Sequence, residues 1–554
     1  MTFKQLYQPI ALLLIFLLLF ACDSKIDVPD YHPTPDTTKN SGSSELSVNM
    51  LKYRPHNYNM WDSWCIVKGD SIHLFHLQYT RSDVDYEKPV DLRGFGHATS
   101  GDLLRWNEKP EVLSLYNRTY DNDWNFRYTG STIEYNGKYY TFYTMRKWDM
   151  QRIGLATSTD LYNWEVYSGN PVLEPDGRWF ITFNSEGTGS NNPIWKDIVD
   201  CRDMLVIKDK NGPGFYAYFI AAAVRSDLSS PTTVVGIAYS KDLFKWEQKG
   251  IVYYPTGVSM PEMIDVFEFQ GTWYMTLTTG KNNGGLSSFS DQYISRAMLY
   301  AKSNSPEGPF VEDLSDNVVI GGSINSGYSM RTVEYKGKRR TLYVDVNNGS
   351  SVLSLPKNIG VNDKGKLRLY YASDLLEKLR SREIEPTIYA QPYNTFGWWP
   401  SHGGIWKYNN SLYTCNTDPK SWQGMVFGGT ANNIEFNFTV NNSTCDSYGI
   451  ILSNPVNNVT LNDLAHIIVI EPSKNRLYLT DYLWNFENCR SYNFENGKAY
   501  NFKMLLVGNT IELYINDELV FNSGLNNAGN YMPGLFANNG QIEVGNLKIY
   551  QLVE

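Results

Sequence analysis

Basic charge is in short supply. Lys and Arg number 49 against 58 Asp and Glu, for a net charge of −9. Nucleic acid needs a basic surface, so no nucleic-acid partner is expected. Charged residues together make up only 19% of the chain, below the roughly 25% usual in soluble domains. There are 7 His and 6 Cys, and the cysteine spacings fit no zinc pattern. No metal and no other cofactor is expected. Helical periodicity is almost missing, apart from a short stretch around Leu375 to Leu379, so the expected fold is all-β. The apolar run Ile10 to Phe20 falls short of the roughly 18 residues that suggest a spanning helix. Aromatics, by contrast, are plentiful, with 40 Tyr and 15 Trp. They fill β cores, and their faces also suit sugar rings.

The N-terminus is set apart from the fold. Lys4 precedes the apolar run, which ends in Leu19-Phe20-Ala21-Cys22. A charged start and an apolar core of this length make a signal peptide. A small residue before Cys resembles the bacterial lipoprotein signal, so residues 1–22 are expected to direct export and lipidation of Cys22. Residues 23–48 are rich in Asp, Pro, Ser, Thr and Asn and read as a flexible tether. The expectation is an exported bacterial lipoprotein anchored at the outer membrane, on the cell surface or the periplasmic face. Five cysteines follow: Cys65, Cys201, Cys415, Cys445 and Cys489. The last three could pair, in a combination the sequence leaves open.

Two repeats organise residues 49–380. Ala98-Thr99-Ser100-Gly101-Asp102-Leu103 leads to Trp106. Ala156 to Leu161 leads likewise to Trp164, and Ala238 to Leu243 to Trp246. A strand ends, Ser and Asp make a turn, and a Trp packs back; the role is structural. The second repeat is a turn glycine followed by an aromatic-rich alternating strand, at Gly69, Gly137, Gly214, Gly271 and Gly337. Pairs such as Asn136-Gly137 favour tight hairpins. Five hairpins at such spacing predict a five-bladed β-propeller. From residue 381 a linker and then short alternating strands predict a C-terminal β-sandwich: Ile434, Phe436, Phe438 and Val440 share one face, as do Ile511, Leu513 and Ile515. That domain either buttresses the propeller or binds glycan through residues such as Trp484.

The strand before each hairpin should line the central channel. Just upstream of the glycines lie Asp62, Ser131, Asp203, Glu262 and Arg331. Three carboxylates and a cation would meet at one mouth. Asp203 and Glu262 sit within apolar strands, a costly place for charge that serves no purpose.

In order, these segments resemble the motifs of glycoside hydrolase family 32, the β-fructosidases, along nearly the whole mature chain. Asn59-Met60-Trp61-Asp62-Ser63-Trp64-Cys65 matches the family's W-M-N-D-P-N-G, with Asp62 on the nucleophile. Gln78 falls on a substrate contact. Phe95-Gly96-His97 matches W-G-H, Thr129-Gly130-Ser131 matches S-G-S, and Arg202-Asp203-Met204 matches R-D-P. Glu262 to Phe267, with Asp265 inside it, matches E-C-P-D-L-F, and Ser354 to Lys357 matches S-L-P-R. The resemblance implies a retaining hydrolase without a cofactor, acting on fructans or a related furanoside-containing oligo- or polysaccharide. Asp62 would attack, Glu262 would serve as acid and base, and Asp203 would steady the transition state. Arg202, Ser131, Gln78, Trp61 and Trp64 would contact sugar, with His97 and Asp265 in support. Three departures bear on specificity. Trp61 stands where the family has Asn, Ser63-Trp64-Cys65 where it has Pro-Asn-Gly, and Arg331 where Y-A-A-Q-T has Gln. Arg331 would either read an acidic or modified sugar or neutralise a neighbouring carboxylate.

Two other readings stay open. One is an inverting five-bladed enzyme of the arabinofuranosidase and xylosidase kind. The other is a catalytically inactive glycan-binding protein on the same scaffold.

Overall fold

The computed structural model describes residues 52–553 except 57, 81–93, 115–125, 148–149, 225–230, 257–260, 280–295, 314–316, 323–326, 348–349, 393–404, 418–420, 430–431, 458, 460, 482–485 and 526–528. The signal segment, Cys22, the tether and Trp484 lie outside the described residues. The regular structure in it is almost wholly strand. The helical stretch near Leu375 is one turn, Ser373–Leu376, continued as the tighter turn Glu377–Leu379. No helix among the described residues is long and apolar enough to cross a membrane.

The first half forms a propeller of antiparallel sheets, each laid out in chain order. The first sheet is Tyr58–Lys68, Ser71–Thr80, Phe95–Ser100 and Asn107–Val112. The second is Phe126–Tyr135, Lys138–Lys147, Met150–Ser158 and Glu165–Val166. The third is Cys201–Lys208, Phe215–Ala223, Thr232–Ser240 and Glu247–Tyr253. The fourth is Pro261–Phe269, Thr272–Thr279, Arg296–Ser303 and Val311–Glu312, with Val318–Gly322 also on its third strand. A further group follows in the same order: Gly327–Tyr335, Lys338–Asn347, Lys357–Val361 and Leu367–Tyr371. This group is not a separate sheet. Tyr370 pairs with Glu518, and the ladder runs on into the C-terminal domain. Among the described residues the separate propeller sheets therefore number four, not the five expected, because the outermost strand of the last group pairs with the C-terminal domain.

The repeats explain the local geometry. Asn136-Gly137, Gln270-Gly271 and Lys336-Gly337 all have positive φ at both turn residues, as the hairpin turn that matches strand twist requires. Gly214 departs from this pattern: its connection is longer, closed by the Asp209 N–H donating to the Gly214 carbonyl at 2.9 Å. In the other repeat, Ser100 Oγ accepts from the Leu103 N–H and Asp102 Oδ1 from the Leu104 and Arg105 N–H groups, at 2.8–2.9 Å. Ser158 with Asp160, and Ser240 with Asp242, do the same. The second and third turns each deliver a Trp to the preceding sheet. Trp164 meets Phe75 edge-on at 5.9 Å, and Trp246 meets Phe142 at 5.6 Å. The motif thus glues sheet to sheet.

One feature of the inner strands sets up the site. All five slip register once, at Met60/Ser63, Tyr128/Gly130, Tyr218/Ile220 (opposite Asp203), Glu262/Asp265 and Tyr328/Arg331. A β-bulge re-aims side chains and frees backbone groups. Each inner strand carries one. Cross-sheet bonds tie these strands together. Ser131 Oγ donates to the Met204 carbonyl at 2.6 Å, Ser329 N–H to Thr278 Oγ1 at 3.1 Å, and Ser351 Oγ to the Met60 carbonyl at 2.5 Å. The last bond brings the fifth group back to the first strand.

The second half stacks two sheets. One contains Leu412–Asn416, Asn433–Ser443, Tyr500–Val507, Thr510–Ile515, Glu518–Gly524 and Gln541–Leu552; the other contains Trp422–Phe427, Ser447–Ser453, Leu464–Glu471, Arg476–Thr480 and Met532–Asn538. Phe436, Phe438 and Phe502 from the first meet Tyr448, Ile450 and Leu535 from the second in one core. No disulfide joins Cys65, Cys201, Cys415, Cys445 or Cys489. The pairing considered for the last three is not made.

Candidate active site

Asp62 sits inside the first bulge, 6% exposed. Thr129 Oγ1, from the neighbouring sheet, donates to its Oδ2. Its Oδ1 is buried and has no hydrogen-bond partner among the described residues. Burial, then the charges of Asp203 and Glu262, push this carboxyl up to about 8, against the pull of Thr129 and Ser329.

Asp203 occupies the third bulge. Its φ is 55°, and the same left-handed turn recurs at Met263 (52°) and Ser329 (60°) on the next two inner strands. Such a conformation costs a non-glycine residue ~1–2 kcal/mol, and strain of this kind concentrates at functional sites. It points the Asp203 carboxylate at the neighbouring strand, where Oδ2 accepts the Met263 N–H at 3.0 Å. The Asp203 N–H in turn reaches Thr144 Oγ1 at 3.1 Å.

Arg202 ties the group together. Its Nε donates to Asp200 Oδ1 and its Nη1 to Asp203 Oδ2, both at 2.9 Å; Nη1 also lies 3.4 Å from Glu262 Oε1. Burial alone would lower this guanidinium, but Asp200, Asp203 and Glu262 outweigh it and hold it above its ordinary value. Glu262 is the more open carboxylate, its side chain 30% exposed against 4% for Asp203. The Tyr328 hydroxyl donates to its Oε2 at 2.6 Å. Trp61 packs against Tyr328 at 5.1 Å and Tyr79 at 6.0 Å, forming an aromatic corner that remains part-exposed.

Other expected contacts lie elsewhere. Trp64 is 3% exposed and packs in the core against Phe75 and Phe95, its Nε1 on Thr132. The bulge at Met60/Ser63 separates its face from that of Asp62. Ser131 spends its hydroxyl on Met204, and Gln78 bonds Glu111 at 2.9 Å. His97 stacks on Phe75 at 4.7 Å and touches His73 and Tyr162; burial pushes it down to about 3, so it is neutral. Asp265 accepts the Thr332 N–H at 2.7 Å, linking the fourth and fifth inner strands. Arg331 is 6% exposed, and its three nitrogens have no hydrogen-bond partner among the described residues. Among those residues no group of three His, Cys, Asp or Glu is arranged to hold a metal.

Sequence reasoning passed over Thr129, Asp200 and the role of Tyr328. Asp200 was reachable: it is an acid two residues before Arg202, just ahead of the strand. Tyr328 was not, because its match to Glu262 depends on both residues preceding the bulge of their own strand.

The sequence matches the family model described as "Glycosyl hydrolases family 32 N-terminal domain" over residues 55–326. No curated protein matches it significantly. Among solved structures, the family 32 β-fructofuranosidase of Bombyx mori is similar at 16% identity and TM-score 0.61, over 91% of this chain and 94% of that one. The exo-inulinase of Aspergillus awamori gives 14% and 0.65, over 91% and 98%. The fructan 1-exohydrolase IIa of Cichorium intybus gives 13% and 0.60, over 92% and 98%. At such identities the structures show the shared fold. The family model, matched across the inner strands that carry Asp62, Asp203 and Glu262, adds the descent: the chain is a glycoside hydrolase, a divergent member of family 32.

Proposed function

We propose that this protein is an exported, lipid-anchored enzyme that hydrolyses fructans or a related furanoside-containing glycan with retention of configuration. One observation carries the reading. Arg202 holds Asp203 and Glu262 together, and the same two carboxylates raise Asp62 across the channel mouth. Retaining hydrolysis needs one carboxyl to attack and a second, about 5–5.5 Å away, to protonate the leaving oxygen and then activate water. Asp62, buried and fixed by Thr129, suits attack. Glu262, open to solvent and steered by Tyr328, suits proton transfer with the leaving group and water. Asp203 is placed to accept sugar hydroxyls and to face the positive charge that develops on the ring. The Gly327–Tyr371 group serves as the fifth blade, closing the ring on the first strand. Residues 1–22 supply the export signal and Cys22 the lipid.

Trp61 gives the pocket an aromatic wall where relatives carry a polar side chain. A sugar stacked there gains apolar contact and loses a hydrogen bond, so the preferred ligand differs from an unmodified sucrose.

The test is a product screen. Levan, inulin, sucrose and arabinan oligosaccharides are incubated with the protein lacking its first 22 residues and with its Asp62→Asn variant. Fructose or fructo-oligosaccharides from wild type alone, released first as the retained anomer by NMR, support the proposal. An inverted product, or binding without release, replaces it with one of the two other readings.

Asp200 touches no reacting atom but fixes Arg202. Asp200→Asn keeps the shape and removes the charge that aims the guanidinium. We expect kcat/KM to fall about tenfold or more, with the melting temperature little changed. Unchanged kinetics would mean that Asp203 and Glu262 suffice to orient Arg202.

A further inference from the structure

The longest connection between propeller strands covers residues 167–200, from the outer strand of the second sheet to the inner strand of the third. It has no strand or helix of its own, yet its own side chains fix it. Asn184 Oδ1 accepts the Glu186 and Thr188 N–H groups at 3.2 and 3.0 Å, and Asn192 Oδ1 accepts those of Ile194 and Trp195 at 2.8 and 3.1 Å. Short polar side chains that bond nearby backbone hold turns of this kind. The Ser190 N–H closes the tip on the Lys196 carbonyl at 2.6 Å. Phe180 and Ile181 are buried and pin the base: Phe180 meets Phe219 at 5.4 Å, and the Ile181 N–H donates to the Ala222 carbonyl at 2.8 Å. Long connections fixed in this way are characteristically functional.

The connection arrives on the catalytic side of the propeller. Asp62, Asp203 and Glu262 all stand in the first half of their inner strands, so the starting ends of those strands form the mouth. In the second sheet the same end holds Phe126, Lys147 and Met150, since Phe126 pairs with Arg146 and Lys147 with Met150. Val199 bridges Met150, and its carbonyl accepts the Gln151 N–H at 2.9 Å. Asp200 and Arg202 follow directly. The tip, Pro193 to Ile198, therefore ends at the mouth side of the third strand of the second sheet. That strand is two strand spacings from the inner one, about 10 Å.

The tip turns apolar groups outward. Beside the charged Lys196 and Asp197 it exposes Pro193, Ile194 (61%) and Ile198 (37%), with Trp195 half-buried. Exposed apolar side chains grouped on a fixed loop mark a contact surface. Trp195 is also set apart from its counterparts. Trp64, Trp106, Trp164, Trp179 and Trp246 each lie against another ring. The Trp195 indole has no ring, cation or hydrogen-bond partner among the described residues.

We propose that Trp195, framed by Ile194 and Ile198, is a distal subsite that stacks on glycan units beyond the cleaved bond and makes the enzyme favour chains over disaccharides. This rests on the hydrolase reading above. Position identifies the occupant. A sugar held at Asp62 does not reach a platform about two strands away, whereas the chain attached to it crosses the mouth. An indole offers a broad apolar face with one N–H donor, which suits a ring that has C–H faces and hydroxyl edges. Contacts so far from the reacting atoms bind substrate and transition state alike, so their loss raises KM and spares kcat.

The test reads the effect of chain length. Wild type, Trp195→Ala and Trp195→Phe, all without the first 22 residues, are run on inulin- and levan-type oligosaccharides of two to six units. In wild type kcat/KM should climb with length. In Trp195→Ala the ratio of kcat/KM for the hexasaccharide to that for the disaccharide should fall about tenfold, through KM, and Trp195→Phe should restore most of it. Equal melting temperatures control for folding. A ratio that does not change overturns the proposal and hands the apolar tip to a protein partner, while turnover itself keeps the hydrolase reading. Calorimetry on Asp62→Asn, with and without Trp195→Ala, repeats the comparison in the absence of turnover. Hexasaccharide binding that Trp195→Ala weakens about tenfold, on a protein whose wild type cleaves nothing, keeps the subsite while the hydrolase reading falls. If no glycan is cleaved or bound, both fall.

Discussion

Asp62→Asn will resist denaturant better than wild type at pH 9, although it has lost turnover. The sign follows from the direction of the shift. The Asp62 carboxyl is raised from 3.8 in the unfolded chain to about 8 in the fold. Below 3.8 both states are protonated and the group costs nothing. As pH rises from 3.8 to 8 the unfolded chain releases a proton that the folded one keeps, and stability is lost throughout that window. Above 8 the whole penalty is in place, with a ceiling on the order of 5 kcal/mol. Asn cannot ionise and keeps an oxygen for Thr129, so it escapes the penalty. Repacking and the shared field of Asp203 and Glu262 reduce the gain, and we expect at least about 1 kcal/mol by urea unfolding at pH 9. At pH 3.5 the two proteins should coincide. Turnover should fall by about 10⁴ or more, as for other lost nucleophiles. A variant less stable than wild type at pH 9 would show that the channel holds the charged Asp62 in comfort, and the trade of stability for reactivity would be wrong.

Much of this architecture was legible. The hairpin glycines follow from the conformational demand of tight turns, and the Ser-x-Asp-Leu turns follow from short side chains that bond their own backbone. Both are local effects, written in adjacent residues. The merger of the last propeller group with the C-terminal sheet was not legible. It depends on Tyr370 meeting Glu518, a pairing between strands nearly 150 residues apart with no mark in either segment.

The site shows the same division. Asp62, Asp203 and Glu262 stood out because charge inside apolar strands is costly. Which neighbours face the pocket depends on the bulges, since one extra residue reverses every side chain after it. That is why Trp64, three residues from a conspicuous Trp61, lies in the core, and why Ser131 serves as a staple between sheets. Arg331 was visible as a departure from the family pattern. That it is buried with no hydrogen-bond partner among the described residues was not visible there.

The second large effect lies where the propeller meets the C-terminal domain. Lys357 closes the Ser354-Leu355-Pro356-Lys357 segment, and the structure gives that segment a physical task. Its ammonium is fully buried, 2.8 Å from Glu512 Oε1 on the C-terminal sheet and 2.6 Å from the Leu355 carbonyl. Tyr343 and Tyr514 donate to the same carboxylate at 3.2 and 2.6 Å. Burial would raise the Glu512 carboxyl, but Lys357, then Lys52, and the hydrogen bonds from Lys357 and Tyr514 overcome it and hold it below its usual value. That contribution is present above pH 4.5 and is lost as pH falls. Lys357→Met leaves Glu512 buried without its hydrogen-bonded cation, and Glu512→Gln leaves the ammonium without its hydrogen-bonded anion. Each single change should cost about 3–5 kcal/mol, whereas removing both charges with apolar residues of similar size should come much closer to wild type. Urea unfolding of the two single variants and the Lys357→Met, Glu512→Leu double completes the cycle. Because Tyr328 and Arg331 belong to the group that Lys357 anchors, the single variants should also lose activity at temperatures below their unfolding transition. If the singles are nearly neutral, water reaches this interface, and the C-terminal domain covers the last propeller strand without bracing it. If the double is as damaged as the singles, shape and not charge holds the two halves together.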